Sequence, residues 1–304
     1  MPIFSNQAGI NLTVSKLQLI EMSWDEENII LENADEEFLS GYIDKNTPEK
    51  ELVSLIQEAY NQIIIRHPVN AKSVSFTLPT QLFEITELPI DDLLTKEDLS
   101  SHLNWEYSVM FPHKNADDFL LRYFETGNSE FQGVKKILTA AIEKRILKAV
   151  HKFCAANNLS LRFVDNVHFA ANLLIRRNST PSAYLSVYSD DDFFSFMIFE
   201  EGHPRYFKSF DEADLNLAAE KIKNEFSSFY SGQKEISEMK DIYVSGESFT
   251  ESGISVFASR LNAGIQKIAP FSKLATSPRL FRKDLIGKKF HSFAGPIGIA
   301  ARIS

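Results

Sequence analysis

Residues 8–22 read AGINLTVSKLQLIEM. Ile10 and Leu12 alternate onto one face of a strand, and Leu17, Leu19 and Met22 resume the apolar run after a short turn. The period of two predicts a first β-hairpin. Asn11, Thr13, Val14 and Ser15 lie where phosphate-binding hairpins carry an Asp and a Gly. Glycine is needed there because the backbone must turn tightly and approach an oxyanion with no Cβ in the way. This hairpin has neither residue.

The rest of the chain sets the class. Its 304 residues are 44% apolar, with 25 Phe and only 12 Gly and 11 Pro, which predicts a well-cored globular protein of one large or two medium domains. The net charge of −9 argues against a general affinity for nucleic acid or anionic lipid. A single cysteine, Cys154, excludes an intrachain disulfide and a multi-cysteine zinc site, and its place on an apolar helix face reads as a buried, inert thiol. MPIFSNQ lacks the charged start and apolar stretch of a secretory signal, and no apolar run is long enough to span a bilayer. A cytoplasmic protein is expected, touching membrane only through a partner.

Outward from the hairpin, NIIL continues the strands and an acidic loop follows. Thr47 and Pro48 predict a helix start as N-cap and first residue. The helix is striped by Leu52, Leu55, Ile56, Ala59, Tyr60 and Ile63. SVSFTL (73–78) and LFEITEL (82–88) read as strands. Thr95 with Asp98 opens a helix to about Met110, with Leu99, Leu103, Tyr107 and Met110 on its apolar face. FLLRYFET and VKKILTAAI are strands. A helix carrying Ile146, Ala149, Val150, Phe153 and Cys154 stops at Asn157-Asn158. A strand, LSLRFVD, and a short helix, VHFAANLLIRR, close this half. After the polar break RNSTPS (177–182) the order begins again. SAYLSVYS, DFFSFMIF and GHPRYFKSF are strands, a helix spans about 212–230, and DIYVSG ends in glycine. A helix spans about 251–268, residues 270–292 are irregular, and FAGPIGIAARIS is small and apolar. Two hairpin-led halves predict a duplicated α/β architecture.

In this order the segments resemble the actin-like ATPase superfamily, in its PilM and FtsA-like branch. That family's first hairpin runs roughly Gly-Ile-Asp-Ile-Gly-Ser-Ser-Ser-Val-Lys-Leu-Val-Glu-Leu, and residues 9–22 follow it without a gap. LPTQLFEITELP (78–89), the helix ending Asn104-Trp105-Glu106-Tyr107, and Met110-Phe111-Pro112 are similar to the family's next segments. So are ILTAAIEKRILKAVHKFCAANNLSLRFVD, the second hairpin SAYLSVYSDDDFFSFMIFEEGHP, DIYVSGES, and the closing GIAAR (298–302). The resemblance implies a two-lobed, ribonuclease H-like fold. Residues 1–180 would form the first lobe with an inserted subdomain at about 72–158. Residues 181–304 would form the second, its last residues packing back on the first.

The departures bear on chemistry. In the superfamily two Gly-bearing hairpins clamp the phosphates through backbone N–H groups, and an Asp in each positions Mg²⁺ and water. Here Asn11 and Thr13 replace the first Asp and Gly, and Ser186 and Tyr188 replace the second pair. Glu247 follows Gly246 where the adenosine turn has a second glycine, and Phe210 runs almost directly into the helix at Glu212, so a nucleotide-facing stretch is missing. The expectation is a pseudo-ATPase with no cofactor, metal or catalytic residue, acting as a protein-interaction scaffold in a PilM-like pilus or secretion platform. Its partner would be a membrane-anchored assembly protein, and the oligomeric state stays open. Two alternatives remain: a nucleotide-dependent phosphotransferase or ATPase with an atypical site, and an adaptor binding nucleic acid through the basic loop 273–289.

Other clusters have plainer readings. Asp190-Asp191-Asp192 reads as a solvated hairpin tip rather than a metal site, since adjacent strand residues face opposite ways. His168 reads as a satisfied core residue. Lys273, Arg279, Arg282, Lys283, Lys288 and Lys289 form either a docking patch, with Lys283, Lys288 and Lys289 as its contacts, or a loop balanced by neighbouring acids. Trp105 and Glu106 are candidate contacts on the inserted subdomain, or Trp105 is a packing residue.

Overall fold

The computed structural model describes residues 6–25, 28–91, 93–126, 134–178, 181–272, 274–278, 280 and 282–302. Three strands open the chain: β1 (Gln7–Leu12), β2 (Lys16–Asp25) and β3 (Asn28–Phe38). Helix α1 (Glu49–Arg66) leads to β4 (Ser73–Leu78), β5 (Phe83–Asp91), α2 (Lys96–Met110), β6 (Phe119–Glu125) and β7 (Val134–Glu143). Then come α3 (Lys144–Ala156), β8 (Ser160–Asn166) and α4 (Val167–Asn178). The second half holds β9 (Ala183–Asp190), β10 (Phe193–Glu200), β11 (His203–Asp211), α5 (Leu215–Phe229), β12 (Ile242–Gly246) and α6 (Glu251–Leu261). It ends with β13 (Gln266–Lys267), β14 (Ala275–Thr276), α7 (Lys283–Lys288) and α8 (Ala294–Ala300).

The duplication shows in the sheets. One runs β14-β3-β2-β1-β4-β8 and another β11-β10-β9-β12-β13. In each, a hairpin pairs antiparallel and its first strand then takes a parallel neighbour, β4 beside β1 and β12 beside β9. Parallel strands require a crossover, supplied by α1 in the first half and α5 in the second. Such strands are covered on both faces, so β1 reads as one buried run, and Val187 and Phe196 pair inside β9–β10. A third sheet, β5-β7-β6, stands apart with α2 against it, its small core built from Leu88, Leu99, Leu103 and Ile137.

Several expectations shift by local chemistry. The acidic stretch after NIIL is the far half of β3, paired with β2, and its carboxylates meet cations: Arg66 binds Asp35 at 2.8 Å and Lys289 binds Glu36 at 2.7 Å. Thr47 does not cap α1; its hydroxyl serves the Asp44 N–H at 2.9 Å, and Pro48 takes the cap position. Met110 points outward from α2. β4 pairs with β1 and β8, and α3 packs on α1, so the inserted unit is narrower than 72–158 and its sheet spans 83–143. α6 stops at Leu261, where Asn262 adopts a left-handed conformation, and 266–267 is a strand instead of helix. The span 270–292 carries β14 and α7, with β14 joining β3 of the first sheet.

The closing α8 is buried throughout and packs on α4 and β1. Gly9 allows the approach, because a Cβ there would sit 2.0 Å from the Pro296 carbonyl oxygen.

Candidate functional site

The β1–β2 tip is closed on itself. Thr13 Oγ1 accepts from the backbone N–H groups of Ser15 at 3.1 Å and Lys16 at 2.9 Å, and the Thr13 N–H donates to the Lys16 carbonyl at 2.8 Å. Tip donors of the kind that would face a phosphate are therefore taken by a side chain of the same turn. Asn11 is fully buried; its amide donates to Gln18 Oε1 at 2.9 Å and accepts from Thr77 Oγ1 at 2.8 Å. A neutral amide can do both, whereas an ionised carboxylate has no donor for Gln18.

The second hairpin is filled from beneath. Ser186 Oγ lies 2.9 Å from His168 Nε2, and Ser195 Oγ lies 2.8 Å from Nδ1. Burial drives the His168 pKa down to about 3, so a neutral ring joins the two hydroxyls. All three residues are wholly buried, and the Ser–His contact works as a core hydrogen bond. Tyr188 is also buried, its hydroxyl 3.3 Å from Asp190 Oδ2. Burial, then the Asp190 charge, raises its pKa well above the ordinary phenol value. Burial, with Glu247 and Asp191 nearby, likewise holds the Asp190 carboxyl well above the usual range.

Polar bonds then join the two hairpins. Ser15 Oγ donates to the Asp191 carboxylate at 3.0 and 3.2 Å. Lys16 pairs with Glu247, which follows β12. The Lys16 side chain is 6% exposed; burial opposes its charge, yet Glu247, Glu36 and Asp190 outweigh that and raise its pKa. Ser189 Oγ and Ser248 Oγ are 2.9 Å apart. Gly246 has φ +102°, and a Cβ on it would fall 1.9 Å from the Ser189 carbonyl oxygen, so this glycine serves close packing of β12 on β9. Asn11, Thr13, Ser186, Tyr188, Gly246 and Glu247 thus gather in one region, joined by Lys16, His168 and Asp190. The sequence reading missed Lys16, whose only signal is a lysine within a strand buried on both faces. Among the described residues no three of His, Cys, Asp and Glu gather to hold a metal ion, and Asp191 and Asp192 form the exposed turn between β9 and β10.

The other candidates lie elsewhere. Trp105 is 59% exposed on α2, so it does not pack in the core; Glu106 faces His102 at 3.5 Å. Lys289 is paired with Glu36 and Arg282 with Asp35 and Asp284, while Lys283 is exposed. Lys273, Arg279 and the Lys288 side chain lie outside the described residues.

An open groove of about 840 Å³ lies between the inserted sheet and the first sheet. Leu120, Arg122, Tyr123 and Phe124 of β6 form one wall, and residues 161–165 of β8 form the other, with Lys144, Leu147, Lys148 and His151 from α3. A smaller hollow of about 240 Å³ continues it past Asp165 and Arg302, which bind at 2.9 Å, toward Asn172, Met197 and Phe199.

Two hairpin-led sheets with parallel neighbours and an inserted three-stranded unit define an actin-like ATPase fold, and the chain has that fold. A chain of a PilM–PilN type IV pilus biogenesis complex has the same architecture, with a TM-score of 0.74 at 16% identity over 97% of this chain and 98% of that one. Two more distant likenesses have TM-scores of 0.50 at 11% identity. The cytoplasmic domain of EpsL, an inner-membrane component of the Vibrio cholerae type II secretion system, matches over 79% of this chain and 82% of its own. A Bacteroides thetaiotaomicron protein with an actin-like ATPase fold and unknown function matches over 88% and 92%. No family model and no curated protein matches the sequence.

Proposed function

We propose that this protein is an actin-like scaffold that neither binds nor hydrolyses ATP, and that it works by docking a segment of another protein in a pilus- or secretion-type assembly. One observation carries the reading: the two hairpins that would clamp a triphosphate are bonded to each other through Ser15–Asp191, with Lys16–Glu247 tying the β12 turn to the first. Tyr188 is buried beside them, its hydroxyl 3.3 Å from Asp190 Oδ2 and its ring 5.9 Å from that of His168. The likeness to a PilM–PilN chain and to EpsL supports the choice of assembly, and the groove beside the inserted sheet is the place for the partner segment. A cytoplasmic location and a membrane-anchored partner fit this reading; no helix among the described residues is long and apolar enough to cross a membrane.

Thermal melting with and without Mg-ATP tests it. A ligand at 100 times its Kd stabilises by about 2.7 kcal/mol. In a chain of this size that is a rise of about 5 °C. No shift is expected; a rise of that size would contradict the proposal.

A further inference from the structure

Among the described residues the sheet edges are mostly short, interrupted or already lining the groove. β13 and β14 have two residues each, β5 carries Pro89, and β6 and β8 line the groove beside the inserted sheet. β11 differs. It has nine residues and pairs with β10 alone, in a ladder that is regular from Tyr206 to Asp211. A regular edge with no neighbour is a template for another strand.

One bond fixes which backbone groups face outward. The Glu212 N–H donates to the Asp192 carbonyl at 2.7 Å, and these residues continue the register that sets Asp211 against Phe193. Bonded and non-bonded pairs alternate along an antiparallel ladder. Phe210 and Lys208 therefore turn their backbone groups toward β10, and Phe207, Ser209 and Asp211 turn theirs away. Lys221 Nζ marks that direction, reaching the Asp211 carbonyl from α5 at 3.3 Å. The remaining outward groups of these three residues have no partner among the described residues.

The side chains along this edge complement themselves about Ser209. Antiparallel pairing of two copies there sets Ser209 against Ser209, Phe207 against Asp211, and Lys208 against Phe210, with no like charges directly opposed. Lys208 and Phe210 line a hollow of about 380 Å³ with Lys221, Asn224, Glu225 and Ser228 of α5. The Phe210 ring already takes one cation, since Lys221 Nζ lies 5.2 Å from its centroid. Lys208 is 3.7 Å from Glu225 with its side chain 50% exposed, so it can reach an opposing ring. It lies on the α5 face of the sheet and leaves the backbone edge bare.

We propose that two copies of this chain pair antiparallel along β11, with Ser209 on the two-fold axis, joining their five-stranded sheets into one continuous sheet. The paired stretch, residues 207–211, covers about 17 Å. The Asp211 carbonyl exchanges Lys221 for the Phe207 N–H of the other copy, and Lys208 of each copy lies against Phe210 of the other. So short a contact gives a weak, concentration-dependent dimer. None of residues 207–211 lines the groove beside the inserted sheet, so the contact uses a separate surface. The inference goes beyond the scaffold reading and does not depend on it.

Sedimentation velocity of the full chain, from about 1 to about 200 µM, tests it, with a monomer–dimer equilibrium as the expected result. Ser209→Pro should abolish the dimer and leave the chain folded, because the N–H it removes bonds nothing within one copy. K208E should weaken dimerisation about tenfold by losing the cation over Phe210. Ser209→Cys reads the register. Bonded partners in an antiparallel pair have Cα atoms about 5.5 Å apart, within disulfide reach, so mild oxidation should link two copies. Ser227→Cys, exposed on α5 outside the hollow, should stay unlinked. A monomer at every concentration, a dimer that survives Ser209→Pro, or one that Ser209→Cys fails to trap would overturn the inference. Each of those results leaves the scaffold reading standing; a Mg-ATP melting shift would instead remove that reading.

Discussion

Replacing Lys16 by Met should destabilise the protein sharply, because the lysine is the cation between carboxylates of both halves. Its ammonium lies almost wholly out of water against Glu247, with Glu36 and Asp190 close enough to raise its pKa. Removing one partner of a buried pair costs about 3–5 kcal/mol, since the remaining charge is left uncompensated. Glu247 keeps 22% side-chain exposure, which places the loss at the lower end, about 3 kcal/mol, or about 6 °C in Tm. The double variant K16M/E247M should recover most of that, giving a coupling of about 2 kcal/mol in a denaturant double-mutant cycle. The sign with pH is fixed too. A lysine whose pKa is raised on folding contributes fully below its unfolded value of 10.5 and loses that contribution as pH rises through the folded value. The K16M loss should therefore be the same from pH 6 to pH 9. A K16M protein within about 0.5 kcal/mol of the wild type, or no coupling to Glu247, would refute the bridging role.

Three more outcomes follow from single sites. His168 stays neutral down to about pH 3 when folded but takes a proton near 6.5 when unfolded, so it lowers stability as pH falls below 6.5, by about 2 kcal/mol at pH 5. His291, pushed down to about 4, acts in the same direction, and urea melts of His168→Gln should lose only the first share. Gly246→Ala should cost more than about 3 kcal/mol through its clash with Ser189, whereas Gly202→Ala, with φ +80° and open space around it, should cost about 1 kcal/mol. The Cys154 thiol, pushed by burial to about 12, should resist alkylation at pH 8 until the chain is unfolded.

The elements most legible in the sequence are those whose burial is one-sided and whose ends are local. The α1 stripe and the Thr95–Asp98 start of α2 stand where their spacing places them, because helix periodicity and capping are decided within a few residues. The far half of β3 was not legible: its Asp35 and Glu36 look like loop residues until Arg66, Arg282 and Lys289 arrive from distant sequence to pair with them. α6 ends early because Asn262 turns left-handed, a choice that apolar spacing does not report. At the hairpins, sequence could show which groups were absent, an Asp and a Gly in each. It could not show that Thr13 folds onto its own turn, or that His168 joins Ser186 to Ser195. The groove was not legible, since it depends on β8 and α3 coming to lie beside the inserted sheet.

The central claim is that protein atoms join across the space where a nucleotide would lie. Its most direct test is a crystal structure grown with Mg²⁺ and a non-hydrolysable ATP analogue. The expected result is no nucleotide between residues 11–15 and 186–190, with the Ser15–Asp191 and Lys16–Glu247 contacts intact. A nucleotide seated there, with those contacts parted and the Tyr188 ring displaced, would contradict it.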